Sequence, residues 1–233
     1  MKILALPLLL ITLQASAENL RLSDEAVIFH TDVGDMAVAF YPDEAPLHTQ
    51  QILKLVRGGI YTHKLLFRTD KNYVTQIENY NTRIPPLSAE ELKLIKKIPA
   101  EFNSIPHRRG ILSMARFDDP NSAESSFSFV LGTAPNLDGQ YTVFGEVIQN
   151  INVLAEIEKL PPKSVYINSA EIVERNDLPN IKLASTPSPF SGSVLQIGVF
   201  TALALVGFFI YENSTEKRLN NKIRGTPKIK TLL

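Results

Sequence analysis

Cysteine is absent from all 233 residues of the sequence, and this absence excludes several chemistries at once. The chain can form no disulfide, no thiolate zinc site and no cysteine nucleophile. Its formal net charge is zero, which disfavours a generally basic surface and hence a nucleic-acid partner. No glycine-rich phosphate loop and no internal repeat occur either. With 44% hydrophobic residues, the chain is expected to bury one sizeable core beside accessory segments.

The histidines offer no support for a metal site. His30, His48, His63 and His107 fall at intervals that match no metal triad. We expect each of them to be structural or solvated, with His48 on the exposed side of a helix. No Gly-x-Ser-x-Gly elbow is present, although the sequence alone leaves a Ser/His/Asp hydrolase open.

The N-terminal segment has the pattern of a secretory signal peptide. Lys2 precedes an apolar run at 3–13, and the small residues Ala15, Ser16 and Ala17 follow it. At about 1.5 Å of rise per residue, this run is far shorter than a hydrocarbon core of roughly 30 Å. We therefore predict a signal peptide at 1–17 and export of the remaining chain. An uncleaved N-terminal anchor is the alternative.

A second apolar segment lies near the other end of the sequence. Residues 194–211 carry no charge, and a helix of this length spans about 27 Å, just enough to cross a bilayer. A linker at 177–193, rich in proline and serine towards its end, precedes it, and the basic tail 212–233 is typical of a cytoplasmic flank. The pattern predicts one C-terminal transmembrane helix, a single-pass protein of the cell inner membrane and an exported, periplasmic domain. A buried core helix is the alternative.

Short segments with alternating apolar residues predominate at 24–176, which we assign to one domain. Such segments, separated by turn signals, indicate strands, whereas apolar spacing of three and four indicates helices. A mainly β fold follows, a closed antiparallel barrel of eight strands capped by two helices. The strands are expected at 26–31, 36–40, 65–68, 73–77, 110–115, 127–131, 142–148 and 165–173, and the helices at 46–57 and 152–159.

An additional short helix is predicted within 88–98. Ser88 can act as its N-cap, and Glu91 three residues later completes a capping box ahead of apolar residues. We interpret this segment as a surface insertion.

Three segments carry residues suited to peptide chemistry. Arg68, Tyr73 and Gln76 place a cation, an aromatic ring and an amide along one extended stretch, 61–76 (YTHKLLFRTDKNYVTQ). With no strong nucleophile beside them, these groups suit polarising a peptide bond better than cutting one. Together with 110–116 (GILSMAR) and 137–145 (LDGQYTVFG), this stretch resembles the cyclophilin-type peptidyl-prolyl cis/trans isomerases. The resemblance covers 26–173, and within it the segment 98–123 looks like many bacterial members.

The resemblance implies an isomerase that acts on proline-containing polypeptides without a cofactor. Arg68 matches the catalytic arginine, Tyr73 the aromatic residue that packs on the prolyl ring, and Gln76 the glutamine that holds a substrate carbonyl. The positions implied for substrate binding are Val74, Ala115, Arg116, Ser126, Ser128, Leu137 and Tyr141.

Val74, Arg116 and Tyr141 depart mildly from the family pattern, and two other positions depart more strongly. Ser126 stands where the family has a second pocket glutamine, and Ser128 stands where it has the phenylalanine at the pocket floor. A fully buried Phe is worth on the order of 1.5–3 kcal/mol, so Ser128 predicts a tenfold or larger loss of affinity or turnover. A register shift that brings Phe127 or Phe129 into the pocket would restore the apolar floor.

Two functions therefore remain open. The retained Arg68, Tyr73 and Gln76 favour an enzyme that assists the folding of exported or membrane proteins. Ser126 and Ser128 favour a catalytically weak module of the same fold that binds peptides or assembles a complex at the membrane.

Overall fold

A computed structural model describes residues 20–82 and 85–181, and this part of the chain contains eight strands. The strands close into one barrel in the order β1-β2-β7-β5-β6-β4-β3-β8, with every neighbouring pair antiparallel. The predicted mainly β barrel of eight strands is confirmed. Its strands are β1 (Glu25–Thr31), β2 (Gly34–Phe40), β3 (Lys64–Asp70), β4 (Val74–Ile77), β5 (Ile111–Met114), β6 (Phe127–Val130), β7 (Val143–Gln149) and β8 (Tyr166–Glu174).

Two helices, α1 (Pro46–Arg57) and α3 (Asn152–Lys159), have the bounds that the apolar spacing predicts. Each buries one stripe against the barrel, and their apolar side chains join the same core cluster as the strands. Ile52 and Leu55 of α1 and Leu154 of α3 are completely buried there. The core therefore extends from the barrel interior to the undersides of both helices.

The start of α1 corrects the expectation for His48. His48 is buried rather than exposed, because Glu101 reaches the first turn of the helix from a distant loop. Its carboxylate accepts backbone N–H groups from Leu47 and His48, both at 2.9 Å, and the Nδ1 atom of His48 lies 2.6 Å from it. The first N–H groups of a helix have no partner within the helix. Glu101 supplies that partner, since the preceding Ala45 makes no side-chain cap.

The insertion contains the predicted short helix. Helix α2 (Ala89–Leu92) has the expected capping box, in which the Ser88 hydroxyl accepts from the Glu91 backbone at 3.2 Å and Glu91 accepts from the Ser88 backbone at 2.7 Å. Beyond the helix, Ile98 forms an isolated β-bridge with Ala123, its backbone N–H donating across 2.8 Å. Pro99 disfavours helical backbone at the residue before it.

The predicted accessory segments lie largely outside the described residues. These are the signal peptide at 1–17, most of the linker, the transmembrane helix at 194–211 and the tail at 212–233. The chain divides into the units Met1–Ala184 and Ser185–Leu233, and the second falls wholly outside the described part. Within residues 20–82 and 85–181, no helix is long and apolar enough to cross a membrane.

Candidate active site

A cleft of about 140 Å³ opens over the part of the barrel formed by β3, β4, β6 and β5. Nine of the ten residues predicted from the sequence line it, although they come from four separate parts of the chain. They are Arg68, Tyr73, Val74, Gln76, Ala115, Arg116, Ser128, Leu137 and Tyr141. Ser113 and Met114, which belong to the segment 110–116 but were not predicted as site residues, line it as well.

Arg68 lies across from Gln76 in the β3–β4 ladder, so the two side chains share one face of the sheet. The guanidinium of Arg68 is held by Asp70, two residues further along β3. Its Nε donates a hydrogen bond of 2.7 Å to the carboxylate, and its Nη2 forms an ion pair with the same oxygen. The centre of the guanidinium lies 5.9 Å from the centroid of the Tyr73 ring, a cation–π arrangement. The cation and the aromatic ring thus border the same space.

Ser126, the tenth predicted residue, lies beside the cleft and contacts Gln76. The amide nitrogen of Gln76 donates to the Ser126 hydroxyl at 3.1 Å, and that hydroxyl donates to the backbone oxygen of Ile77 at 2.6 Å. Ser126 lines a neighbouring cavity of about 170 Å³, which shares Gln76, Ala115 and Arg116 with the cleft. Ser126 therefore orients Gln76 from outside the cleft.

Another wall of the cleft combines Leu137 with the aromatic rings of Tyr73 and Tyr141. The amide of Asn136 donates to the Tyr73 hydroxyl at 2.9 Å and fixes the outer edge of that ring. Arg116 lies over the ring of Tyr141, with 4.6 Å between guanidinium and centroid. Its donors also reach backbone oxygens at 140, 117 and 118, so Arg116 ties two loops together. This wall is amphipathic, with apolar faces and polar rims.

The floor of the cleft is polar because β6 alternates between its two faces. Phe127 and Phe129 point into the barrel, where both rings are fully buried and lie within about 6 Å of the Phe29 ring. Ser128, between them, lines the cleft opposite Ser113 of β5 and Gln76 of β4. The register shift that would place Phe127 or Phe129 in the pocket is therefore wrong.

A hydrogen-bonded chain that the sequence did not reveal leads from the surface to this floor. The Nδ1 atom of His107 lies 2.8 Å from the Asp138 carboxylate, and its Nε2 lies 2.9 Å from the Ser113 hydroxyl. The His107 side chain is fully buried, whereas that of Asp138 is 41% exposed. The backbone N–H and ring of His107 both donate to Asp138 and hold the pKa of this carboxyl below its ordinary value. No local motif joins the three residues, so only the fold brings them together.

Metal coordination finds no support in the described part of the chain. Within residues 20–82 and 85–181, no group of three or more His, Asp or Glu is placed to hold an ion. The polar groups of the cleft are instead a guanidinium, an amide and hydroxyls, which suit binding a peptide by hydrogen bonds.

Comparisons with known proteins agree with this architecture. A sequence model of the family described as "Cyclophilin type peptidyl-prolyl cis-trans isomerase/CLD" matches residues 26–177. A peptidyl-prolyl cis-trans isomerase of Arabidopsis thaliana is 45% identical over 144 residues, which are 61% of this chain and 64% of that protein. A probable peptidyl-prolyl cis-trans isomerase of Brucella abortus is 33% identical over 142 residues, 58% of this chain and 72% of that protein.

Similarity of fold extends to solved structures. The crystal structure of a cyclophilin from Hirschia baltica aligns with a TM-score of 0.57 at 22% identity, over 68% of this chain and 77% of that one. At this level of identity the likeness concerns the fold. The chain spans just under two thirds of the length of its Arabidopsis relative.

Proposed function

The chain belongs to the cyclophilin-type peptidyl-prolyl cis-trans isomerase family, and we propose that it catalyses cis/trans isomerisation of X-Pro bonds in polypeptides. The observation that carries the proposal is the convergence of Arg68, Tyr73 and Gln76 on one cleft. These residues supply a hydrogen-bond donor for the prolyl amide, an aromatic surface for the ring and an amide for a substrate carbonyl.

The chemistry requires rotation about one bond and no covalent intermediate. Amide resonance imposes a barrier of about 18–20 kcal/mol, so uncatalysed X-Pro isomerisation takes tens of seconds or more. Arg68 donates towards the prolyl nitrogen lone pair and withdraws it from conjugation. Because this lone pair is available only when the amide is twisted, the interaction is stronger in the transition state than in the planar ground state.

Gln76 and Tyr73 hold the substrate while the bond rotates. Since one N–H of Gln76 is directed to Ser126, the rest of the amide group remains for a carbonyl on the substrate. Tyr73, with its hydroxyl fixed by Asn136, offers its ring face to the pyrrolidine ring. Both contacts orient the peptide beside the guanidinium of Arg68.

An isomerisation assay on a cis-proline peptide tests this function. The purified 233-residue chain is expected to accelerate isomerisation well above background, and Arg68→Ala to remove most of the acceleration. Arg108→Ala is the matched control, because Arg108 is also an exposed arginine in an ion pair, with Glu146 at 2.8 Å, but does not line the cleft. Activity that persists in Arg68→Ala would contradict the proposed mechanism.

The polar floor favours a second candidate function, peptide binding with little turnover. Ser128 removes the large apolar surface that would grip a prolyl ring. A folded chain that binds proline peptides but leaves their isomerisation rate unchanged would support a binding or assembly module at the membrane.

The sequence patterns at both ends motivate a proposal about location. The signal-like residues 1–17 and the apolar segment 194–211 would place the domain on the periplasmic side of an inner membrane, anchored once. The linker at 177–193 is short enough to keep the domain within tens of ångströms of its anchor, which would raise its effective concentration near membrane clients. Protease accessibility of the domain in intact spheroplasts tests this topology, and complete protection would overturn it.

A further inference from the structure

The floor of the cleft is formed by two hydroxyl groups, those of Ser113 and Ser128. The two residues are direct partners in the β5–β6 ladder, and both line the cleft. Side chains at such positions lie about 4.5–5.5 Å apart at their Cβ atoms. One ligand group that reaches the floor can therefore meet both hydroxyls.

The direction of the Ser113 hydroxyl is set by the residues behind it. The Asp138 carboxylate accepts a hydrogen bond from the backbone N–H of His107 at 2.8 Å, and an ionised carboxylate can only accept. The Nδ1 atom of His107, also 2.8 Å from this carboxylate, must then carry a proton. In the neutral imidazole Nε2 is consequently an acceptor, so Ser113 donates its only proton to it across 2.9 Å. Ser113 can offer the cleft nothing but lone pairs.

Ser128 adds a second hydroxyl to the floor, one that is not used in a hydrogen bond within the described part of the protein. Within the described residues its side chain has no hydrogen-bond partner, although the residue is only 8% exposed. An unsubstituted prolyl ring would cover this hydroxyl and the Ser113 lone pairs without satisfying either, which is unfavourable for buried polar groups. A ligand that brings a donor to the floor would satisfy Ser113 directly.

We infer that this floor recognises a prolyl ring bearing a hydroxyl group, with Ser113 as the acceptor that selects it. The inference rests on the proposed isomerase function and names its substrate class. The C4 atom of a pyrrolidine ring is the atom farthest from the peptide backbone, so a substituent there points deepest into the cleft. The 4-hydroxyl donates to Ser113 and can accept from Ser128.

Three peptides of one sequence test the inference, with proline, (4R)-4-hydroxyproline or (4R)-4-fluoroproline at the central position. The two substituted rings share a pucker because both substituents are electronegative, but fluorine cannot donate. The purified chain is expected to bind the hydroxyproline peptide about fivefold more tightly than either other peptide, as one additional hydrogen bond implies. Dissociation constants come from NMR titration, and kcat/KM comes from the isomerisation assay.

Variants assign the preference to Ser113. Ser113→Ala is expected to bind all three peptides alike. Asp138→Asn is expected to keep the preference, because its amide oxygen still accepts from Nδ1, whereas Asp138→Ala is expected to weaken it. The Asp138 variants change an exposed side chain, so they remain informative if Ser113→Ala does not fold.

The outcomes separate this inference from the proposed function. Equal binding of the three peptides by the unmodified chain, or a preference that survives in Ser113→Ala, would overturn the inference even if isomerisation is fast. Preferential binding of hydroxyproline without any isomerisation would support the recognition and reject the enzymatic function.

Discussion

Asp70 holds the catalytic candidate Arg68 by the edge of its guanidinium, accepting a hydrogen bond of 2.7 Å from Nε and pairing with Nη2. Both residues project from the same face of β3, and both side chains are nearly half exposed. The remaining atom, Nη1, is the donor that this carboxylate leaves available to a substrate. Asp70 is therefore a positioning residue for the proposed reaction.

Asp70→Ala is expected to lower kcat about threefold, because an exposed ion pair contributes at most about 1 kcal/mol to the orientation of its partner. Asp70→Asn should recover most of the loss, since its amide oxygen still accepts from Nε. Asp43→Ala, which breaks the exposed pair with Arg21, is the matched control. A kcat that rises in Asp70→Ala would show instead that the carboxylate competes with the substrate for Arg68.

Ser128→Phe is expected to raise kcat/KM for an ordinary proline peptide about tenfold. The added ring would supply apolar surface at the floor, and a fully buried Phe contributes on the order of 1.5–3 kcal/mol. The gain is measured in the isomerisation assay and compared with Ser122→Phe, which changes a serine of the neighbouring cavity. An unchanged or lower kcat/KM would mean that the floor does not contact the prolyl ring.

The stability of the fold is expected to fall as the pH drops below about 6.5. Burial holds the pKa of His48 below its ordinary value of 6.5, so the unfolded state binds a proton more readily than the folded state. The contribution is complete above pH 6.5 and is lost as the pH falls towards the lower folded pKa. Urea unfolding at pH 7.5 and 5.5 measures it, and His48→Gln should reduce the difference. The exposed His63→Asn is the control, in which the full pH difference should persist.

Glu101→Gln is expected to lower the free energy of unfolding by about 1–3 kcal/mol. Both oxygens of Glu101 accept hydrogen bonds at the start of α1, and an amide would turn a donor towards one of those N–H groups. Urea unfolding at pH 7.5 measures the loss, with Glu44→Gln, a change at a half-buried glutamate, as the comparison. Equal stability of the two variants would show that Glu101 does not stabilise the start of α1.

Local sequence pattern was sufficient to predict the strands and helices of the barrel, but it did not predict the polar side-chain contacts between distant residues. Alternation and turn residues predicted every strand, and helical spacing gave the bounds of α1 and α3, because both signals lie within a few adjacent residues. His48 was assigned to the wrong environment since its partner Glu101 lies 53 positions away. Asp138 is likewise 31 positions from His107.

For the cleft too, the sequence predicted which residues line it but not how their side chains contact one another. Its members were predicted from a resemblance, and the alternation along β6 places Ser128 at its floor. Alternation along β3 places Asp70 on the same face as Arg68, but their hydrogen bond depends on side-chain rotamers that the sequence pattern does not specify. The signal peptide and the membrane helix remain predictions from hydropathy and charge.

The pairing of β1 with β8 sets when this domain can fold during synthesis. Glu25 lies opposite Glu174, and the backbone N–H of Arg175 donates to the oxygen of Asp24 at 2.7 Å. Until β8 has been made, β1 keeps one edge of unpaired backbone groups, which is a site for wrong pairing. At synthesis rates of about 5–20 residues per second, the interval between β1 and β8 is roughly 7–30 s. During that interval the nascent chain presents the unpaired edge of β1, and the closed barrel has no such edge because β8 covers it.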